Sequence, residues 1–186
     1  PLASQAGRAP FPELVENARW SHRGVVFATL HLPGSRNALD PFPGRSAADD
    51  AESRRRTAAA TAWLRETFAA AKAASAAAVV LAFHANPGFE QPIDDPYRRA
   101  YEPFLAALEE EVERFQRPVL MAQGDDHEYL VDHPLVRRTT RRRLGNLTRL
   151  QVPGSPEVGW VRVVVTPGGA DPFRFAAYVL PRWKYW

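Results

Sequence analysis

The hydrophobic and polar positions switch between two periods along the chain. Residues 24–32 (GVVFATLHL) are β-branched and aromatic and stop at Pro33-Gly34-Ser35, which predicts a strand. Over residues 51–75, Ala60, Leu64, Phe68 and Ala71 fall on one helical face and Trp63 widens it, which predicts an amphipathic helix. Asp49 and Asp50 stand before it as N-cap and first-turn acids. Residues 76–83 (AAAVVLAF) form an unbroken apolar run, the pattern of a strand buried on both faces. It ends at His84-Ala85-Asn86-Pro87-Gly88. Residues 96–116 predict a second helix, with Tyr101, Phe104, Leu105, Leu108, Val112 and Phe115 on its apolar face. Residues 117–123 (RPVLMAQ) predict a strand that ends at Gly124-Asp125-Asp126-His127. Three β runs follow, at 146–152, 158–166 and 173–180, with hairpin-like spacing and turns at Pro153-Gly154-Ser155-Pro156 and Pro167-Gly168-Gly169.

Strand, helix, strand, helix, strand and then antiparallel strands predict an α/β (α+β) fold, a mixed sheet with helices on one face. Both apolar helical stripes need the same core, so both helices are expected on one face, over strands that end at His31, His84 and Gly124. Residues 1–19, with Pro1, Pro10 and Pro12, read as an irregular arm, and residues 33–50 as a long loop. The 186 residues suit one domain.

Composition narrows the chemistry. The chain has no cysteine, so disulfide scaffolds, zinc–cysteine modules, iron–sulfur clusters and cysteine nucleophiles are excluded. No apolar run approaches the ~18 residues that a membrane-spanning helix requires. Net charge is +3, yet the pI is 9.6, because Lys72 and Lys184 are the only lysines among 24 basic residues. Arginine stays charged at any accessible pH. The arginine bias accompanies an alanine-rich composition and reads as a genome signature rather than a nucleic-acid footprint. The chain begins at Pro1, without Met or a signal-peptide pattern, and is expected to be a processed product or a segment of something longer.

In sheets with parallel strands, ligands collect at the carboxyl ends. His31, His84 and the pair Asp125 and His127 all fall there. A strand end is a rigid mount for an imidazole ligand. A glycine before Asp125 permits a tight turn that aims a carboxylate and His127 into one place, a donor set suited to Zn, Fe or Mn. The opposing interpretation is a hydrogen-bonded loop histidine beside an Asp-rich turn. His31, Asp40, Asp94 and Asp95 are further carboxylates and imidazoles without ligand-like spacing.

The sequence resembles the C-terminal half of calcineurin-like metallophosphoesterases, in a bacterial group of uncharacterised members. The resemblance runs through Glu16-Asn17-Ala18-Arg19-Trp20, residues 24–32, Gly34-Ser35-Arg36-Asn37, residues 56–64 with Phe68, residues 81–90 and residues 118–127. Asn146-Leu147-Thr148-Arg149-Leu150 and residues 154–165 complete it, so nearly the whole chain is covered. Gly124-Asp125-Asp126-His127 is similar to that family's terminal Gly-His-x-His motif, with Asp125 in place of the first histidine.

The resemblance implies half of a four-layer αββα sandwich and a phosphoesterase with two divalent ions (Mn, Fe or Zn). It implies His84 and His127 as metal ligands, with Asp125 as a carboxylate substitute. The implied substrate is a phosphoester small molecule or nucleotide. The family's N-terminal motifs, Asp-x-His, Gly-Asp-x-x-Asp and Gly-Asn-His, have no counterpart here. The chain is therefore expected to be inactive alone and to expose an apolar face for a missing N-terminal half or another chain.

Two other functions stay in view. One is a phosphoesterase-like binding or scaffold protein that has lost hydrolysis. The other is nucleic-acid binding through Arg137-Arg138-Thr139-Thr140-Arg141-Arg142-Arg143, although that run reads better as a solvated loop. Trp183-Lys184-Tyr185-Trp186 is expected to pack in the core or at an interface.

Overall fold

The longest helix, α1 (Ala47–Ala73), starts where its chemistry dictates. Ser46 and Asp49 form a capping box, and Asp49 and Asp50 lie in the first turn. The helix thus begins about one turn before the start expected at residue 51. Its buried positions, among them Arg56, Ala60, Trp63, Leu64, Thr67, Phe68 and Ala71, recur at three- and four-residue spacing. The second helical region is interrupted: α2 (Pro96–Arg99) and α3 (Glu102–Phe115) are separate, with Tyr101 at the N-cap of α3. Pro103 at the start of α3 lacks the amide needed to continue a ladder from α2. A computed structural model describes residues 1–169 and 171–180, and the C-terminal aromatic group at 183–186 lies outside the described residues.

The strands are β1 (Ala3–Ser4), β2 (Ala18–His22), β3 (Val25–Thr29), β4 (Ala78–Ala82), β5 (Val119–Gln123), β6 (Leu130–Asp132), β7 (Leu147–Gln151), β8 (Gly159–Val165) and β9 (Phe173–Val179). Seven of them form a mixed sheet in the order β1-β2-β3-β4-β5-β7-β6. The centre, β3-β4-β5-β7, is parallel, and β2 and β6 close its two sides antiparallel. The strand order advances in one direction, so crossovers of one hand deliver their helices to one face. There, α1 and α3 share a core with Val26, Ala28, Val79, Leu81, Val119 and Met121.

The opposite face is not left open. Val25, Ala78, Leu120 and Leu150, with Phe27 and Val80, pack under the β8–β9 hairpin. The hairpin contributes Phe173 together with Val161, Val163, Val165 and Phe175. Residues 76–83 therefore have cover on both sides from this chain, as their apolar run requires.

Three expectations are corrected. Residues 1–19 are not simply an irregular arm, because Ala3–Ser4 pairs with Ala18–His22, and β2 begins inside that segment. Leu147–Gln151 does not join a terminal antiparallel group; it lies parallel to β5 in the main sheet. Residues 33–50 are not all loop, since α1 begins at Ala47 and Gly34–Ala38 forms a left-handed turn. Period-based reasoning misses β2 because Ala-Arg-Trp-Ser-His carries only one large apolar residue, Trp20. That ring stacks on Phe27 of β3 at 5.4 Å between centroids.

Because Phe173 is a buried anchor of the second face, Phe173→Ala should destabilise the chain by ~3–5 kcal/mol, read from the urea midpoint. A loss below ~0.5 kcal/mol would show that the hairpin is only appended to the sheet.

Candidate functional site at the strand ends

Backbone hydrogen bonds continue past the ends of the parallel strands and lace their loops together. Ala85 N–H donates to Leu32 O at 3.0 Å, and Gly124 N–H donates to His84 O at 3.0 Å. Val152 N–H donates to Gln123 O at 2.9 Å. This lacing brings His84, after β4, beside Asp125, after β5. Their Nε2 and Oδ1 atoms are 3.6 Å apart. His84 is exposed, with 63% of its side chain open, whereas only 19% of Asp125 is.

Asp125 is clamped. Its Oδ2 accepts from the backbone N–H of Asn86 at 3.0 Å and from the Tyr97 hydroxyl at 3.4 Å. Tyr97 also donates to Asn86 O at 3.1 Å. Burial, with the neighbouring Asp125 charge, pushes the Tyr97 phenol up to about 12. The phenol therefore stays a neutral hydroxyl at physiological pH. Asn86 itself is buried and donates through Nδ2 to Asp126 and, at 3.2 Å, to Glu90.

Behind Glu90 lies Arg149 of β7, only 2% exposed. It makes two 2.8 Å hydrogen bonds to Asp132, pairs with Glu90 and lies over the Phe89 ring. A buried guanidinium needs this full set of partners. Burial alone would raise the Glu90 carboxyl, but the Arg149 hydrogen bond and charge, with Asn86, bring it below its ordinary value.

On its other side Asp125 presses against Gly34. A Cβ added there would stand 2.7 Å from Oδ2 and 2.8 Å from Cγ, and nearer still to Oδ1. Gly34 opens a turn in which Ser35, Arg36, Asn37 and Ala38 all have φ between 52° and 60°. None is glycine, and left-handed backbone costs such residues roughly 1–2 kcal/mol each. Asp125 itself has φ 78°. Strain of this kind persists only where surrounding contacts over-determine it. Here Asn37, 1% exposed, has every polar group satisfied. Its N–H donates to Tyr101 Oη at 2.7 Å, and its Nδ2 to Thr57 Oγ1 at 2.7 Å and Ala100 O at 2.9 Å. Its Oδ1 accepts from Arg56 at 2.8 Å and its carbonyl from Ser53 at 2.9 Å. The Tyr101 hydroxyl donates onward to Pro33 O at 2.8 Å.

The other sequence candidates are placed elsewhere. His127 turns toward Gly154 and Ser155, with Nδ1 2.7 Å from Ser155 O. A carbonyl only accepts, so Nδ1 carries the proton and Nε2 is the open nitrogen. Metal-bound imidazoles are commonly held by such a bond. His31 pairs with Glu16 at 3.7 Å and shares a groove of ≈ 530 Å³ with His84. Asp40 lies 3.6 Å from Arg36, and Asp95 caps α2 by accepting from Tyr97 N–H at 2.8 Å. Among the described residues, no group of three His, Asp or Glu side chains is placed to hold an ion. His84 and Asp125 thus fit as two ligands of one corner, without a third beside them.

The arginine run is partly engaged: Arg141, Arg142 and Arg143 are exposed, as a solvated loop would have them, whereas Arg137 and Arg138 are not free. Arg137 pairs with Glu113, and Arg138 pairs with Glu102 and Glu109 on α3. Those contacts direct the positive charge onto the protein's own helix. Asn86, Tyr97, Glu90 and Arg149 belong to the site without any sequence pattern that marks them. The Asn86-Pro87 step after His84 is visible as a strand-stop signal, but such a signal does not reveal that an asparagine amide grips two carboxylates. No family model, curated protein or solved structure matches the chain.

Glu90 binds fewer protons folded than unfolded, so its contribution to stability is present above its ordinary value of 4.5 and is lost as pH falls through its folded value. Glu90→Gln should therefore be less stable than the wild type at neutral pH, with the gap closing toward acid pH in parallel urea titrations. A gap independent of pH would disprove the charge pairing with Arg149.

Proposed function

We propose that this chain is part of a metal-dependent phosphoesterase, contributing His84 and Asp125 to a dinuclear metal centre that is incomplete without further ligands. The observation that carries this reading is the exposed His84 imidazole 3.6 Å from a clamped carboxylate, at the adjoining carboxyl ends of two parallel strands. An imidazole and a carboxylate suit Mn, Fe or Zn. His127 turns toward Ser155, and among the described residues no third ligand stands beside the pair, so the remaining ligands would have to come from elsewhere. Bound divalent ions would supply an activated water and charge stabilisation for a phosphoryl group. The chain's own residues have simpler duties. Asn86 and Tyr97 hold Asp125 in one orientation, and Arg149 holds Glu90 and with it the Asn86 loop. The groove beside His84 offers room for a phosphoester small molecule or nucleotide.

A bridging carboxylate and the phosphate-binding groups would come from an N-terminal half or another chain. The partner need not cover the whole second sheet face, since β8–β9 already packs there. A second reading, a phosphoesterase-like binding or scaffold protein, is favoured by one observation. Asp125, Asp126 and Glu90 all accept hydrogen bonds from protein donors, as structural carboxylates do. Nucleic-acid binding through the arginine run is the weakest reading, because α3 neutralises Arg137 and Arg138.

The 186-residue chain, dialysed to equilibrium against Mn or Zn, should bind the ion weakly, with the retained metal read by elemental analysis at each free concentration. His84→Ala and Asp125→Ala should each weaken retention by roughly 10–100-fold, the range found for groups that hold or orient a bound metal. The chain alone should not turn over a chromogenic phosphoester. Equal metal content in the wild type and both variants would sink the metal reading and leave the scaffold. Turnover by the chain alone that vanishes in His84→Ala would show that its site is complete.

A further inference from the structure

The left-handed turn at Gly34–Ala38 holds four consecutive non-glycine residues at positive φ, and it meets the candidate site at Gly34. There Gly34 lies against the Asp125 carboxylate. We propose that this turn is a built positioning device for Asp125, with Asn37 and Tyr101 as its positioning residues. The proposal rests on the reading of His84 and Asp125 as the functional pair.

Three observations converge on it. First, four consecutive non-glycine residues hold a left-handed backbone that an unconstrained loop would abandon. Second, the anchoring is complete and buried. Asn37 is tied to α1 through Ser53, Arg56 and Thr57, and to the α2–α3 junction through Ala100 and Tyr101. The Tyr101 hydroxyl also clasps the turn across its width, accepting from Asn37 N–H and donating to Pro33 O. Third, the anchored turn delivers a glycine to the one position where a Cβ would displace the carboxylate. If the turn relaxed, Gly34 would move and Asp125 would lose a wall. Asn86 N–H and Tyr97 Oη hold the carboxylate from one side, and Gly34 bounds it on the other. A rigid site needs support of this kind, because a loosely held carboxylate would sample many orientations.

Arg56 is part of the anchor. Its guanidinium is buried, pairs with Glu52 along α1 and commits a further donor to Asn37 Oδ1. Burying this guanidinium is tolerated because Glu52 and Asn37 supply its partners, so Arg56 and Asn37 hold each other in place.

The test reads the His84 ring by ¹⁵N NMR in the metal-free 186-residue chain at a fixed alkaline pH, with Mn affinity measured in parallel. In the wild type the Asp125 carboxylate beside Nε2 should enrich the Nε2–H tautomer beyond the excess that free neutral histidine already shows. Gly34→Ala, which pushes on the carboxylate directly, should return His84 toward the tautomer balance of free histidine and weaken Mn binding by roughly 10–100-fold. Tyr101→Phe removes the clasping hydroxyl, which also meets the Tyr97 hydroxyl, and keeps the buried ring, while Ser53→Ala removes an anchor of the turn that touches no part of the Asp125 clamp. Both should shift the His84 spectrum the same way while circular dichroism stays native. If Gly34→Ala fails to fold, Tyr101→Phe and Ser53→Ala together decide the question. A wild-type His84 spectrum in any of these variants, natively folded, would overturn the proposal, as would a wild-type ring with no Nε2–H excess over free histidine. A wild-type chain that binds no Mn but shows the expected tautomer shifts would remove the metal reading and leave the positioning device standing.

Discussion

The structure depends on burying β4 and β5 from both sides. These two strands carry almost no polar side chains, so each face must meet apolar cover or the sheet has no reason to form. Helices α1 and α3 supply one layer and the β8–β9 hairpin the other. Once that sandwich closes, the strands lie in register with little freedom to slide, because a one-residue slip would exchange the two faces. The register in turn places Ala82 beside Ala122, and with it His84 beside Gly124 and Asp125. The candidate site is thus a consequence of core packing, positioned by hydrophobic burial some distance from its own polar groups.

The polar network above the strand ends works in the opposite way. Asn86 and Arg149 are buried, whereas Glu90, Asp126 and His84 reach the surface, and each hydrogen bond replaces a hydrated alternative. What holds it is mutual satisfaction: Arg149 to Asp132 and Glu90, Glu90 to Asn86, Asn86 to Asp125 and Asp126, and Tyr97 to Asp125. Removing one member leaves its neighbours unsatisfied, so the network behaves as a unit. The exposed end of this unit is His84, the one member with most of its side chain open to a ligand. The base under the exposed imidazole is acidic, with Glu90, Asp125, Asp126 and Asp132 around the one guanidinium of Arg149.

Much of this is legible in the chain itself. The apolar runs and helical stripes are local patterns set by side-chain period, so they mark β3, β4, β5 and both main helices, and the chain order places those helices on one face. The stop signals after each strand put His31, His84, Asp125 and His127 at the carboxyl ends. Tertiary structure decided the rest, because those outcomes depend on contacts between residues far apart in sequence. Trp20 makes β2 a strand only by stacking on Phe27. Leu147–Gln151 joins the parallel centre because Leu150 and Leu147 have two different cores to fill. The two histidines share a location in the sequence argument, but the backbone after Gly124 sends Asp125 toward His84 and His127 toward Ser155. The left-handed turn is beyond any period or propensity argument. Ser35, Arg36, Asn37 and Ala38 avoid that backbone when free, and only the partners on α1, Ala100 and Tyr101 make it the lower-energy choice.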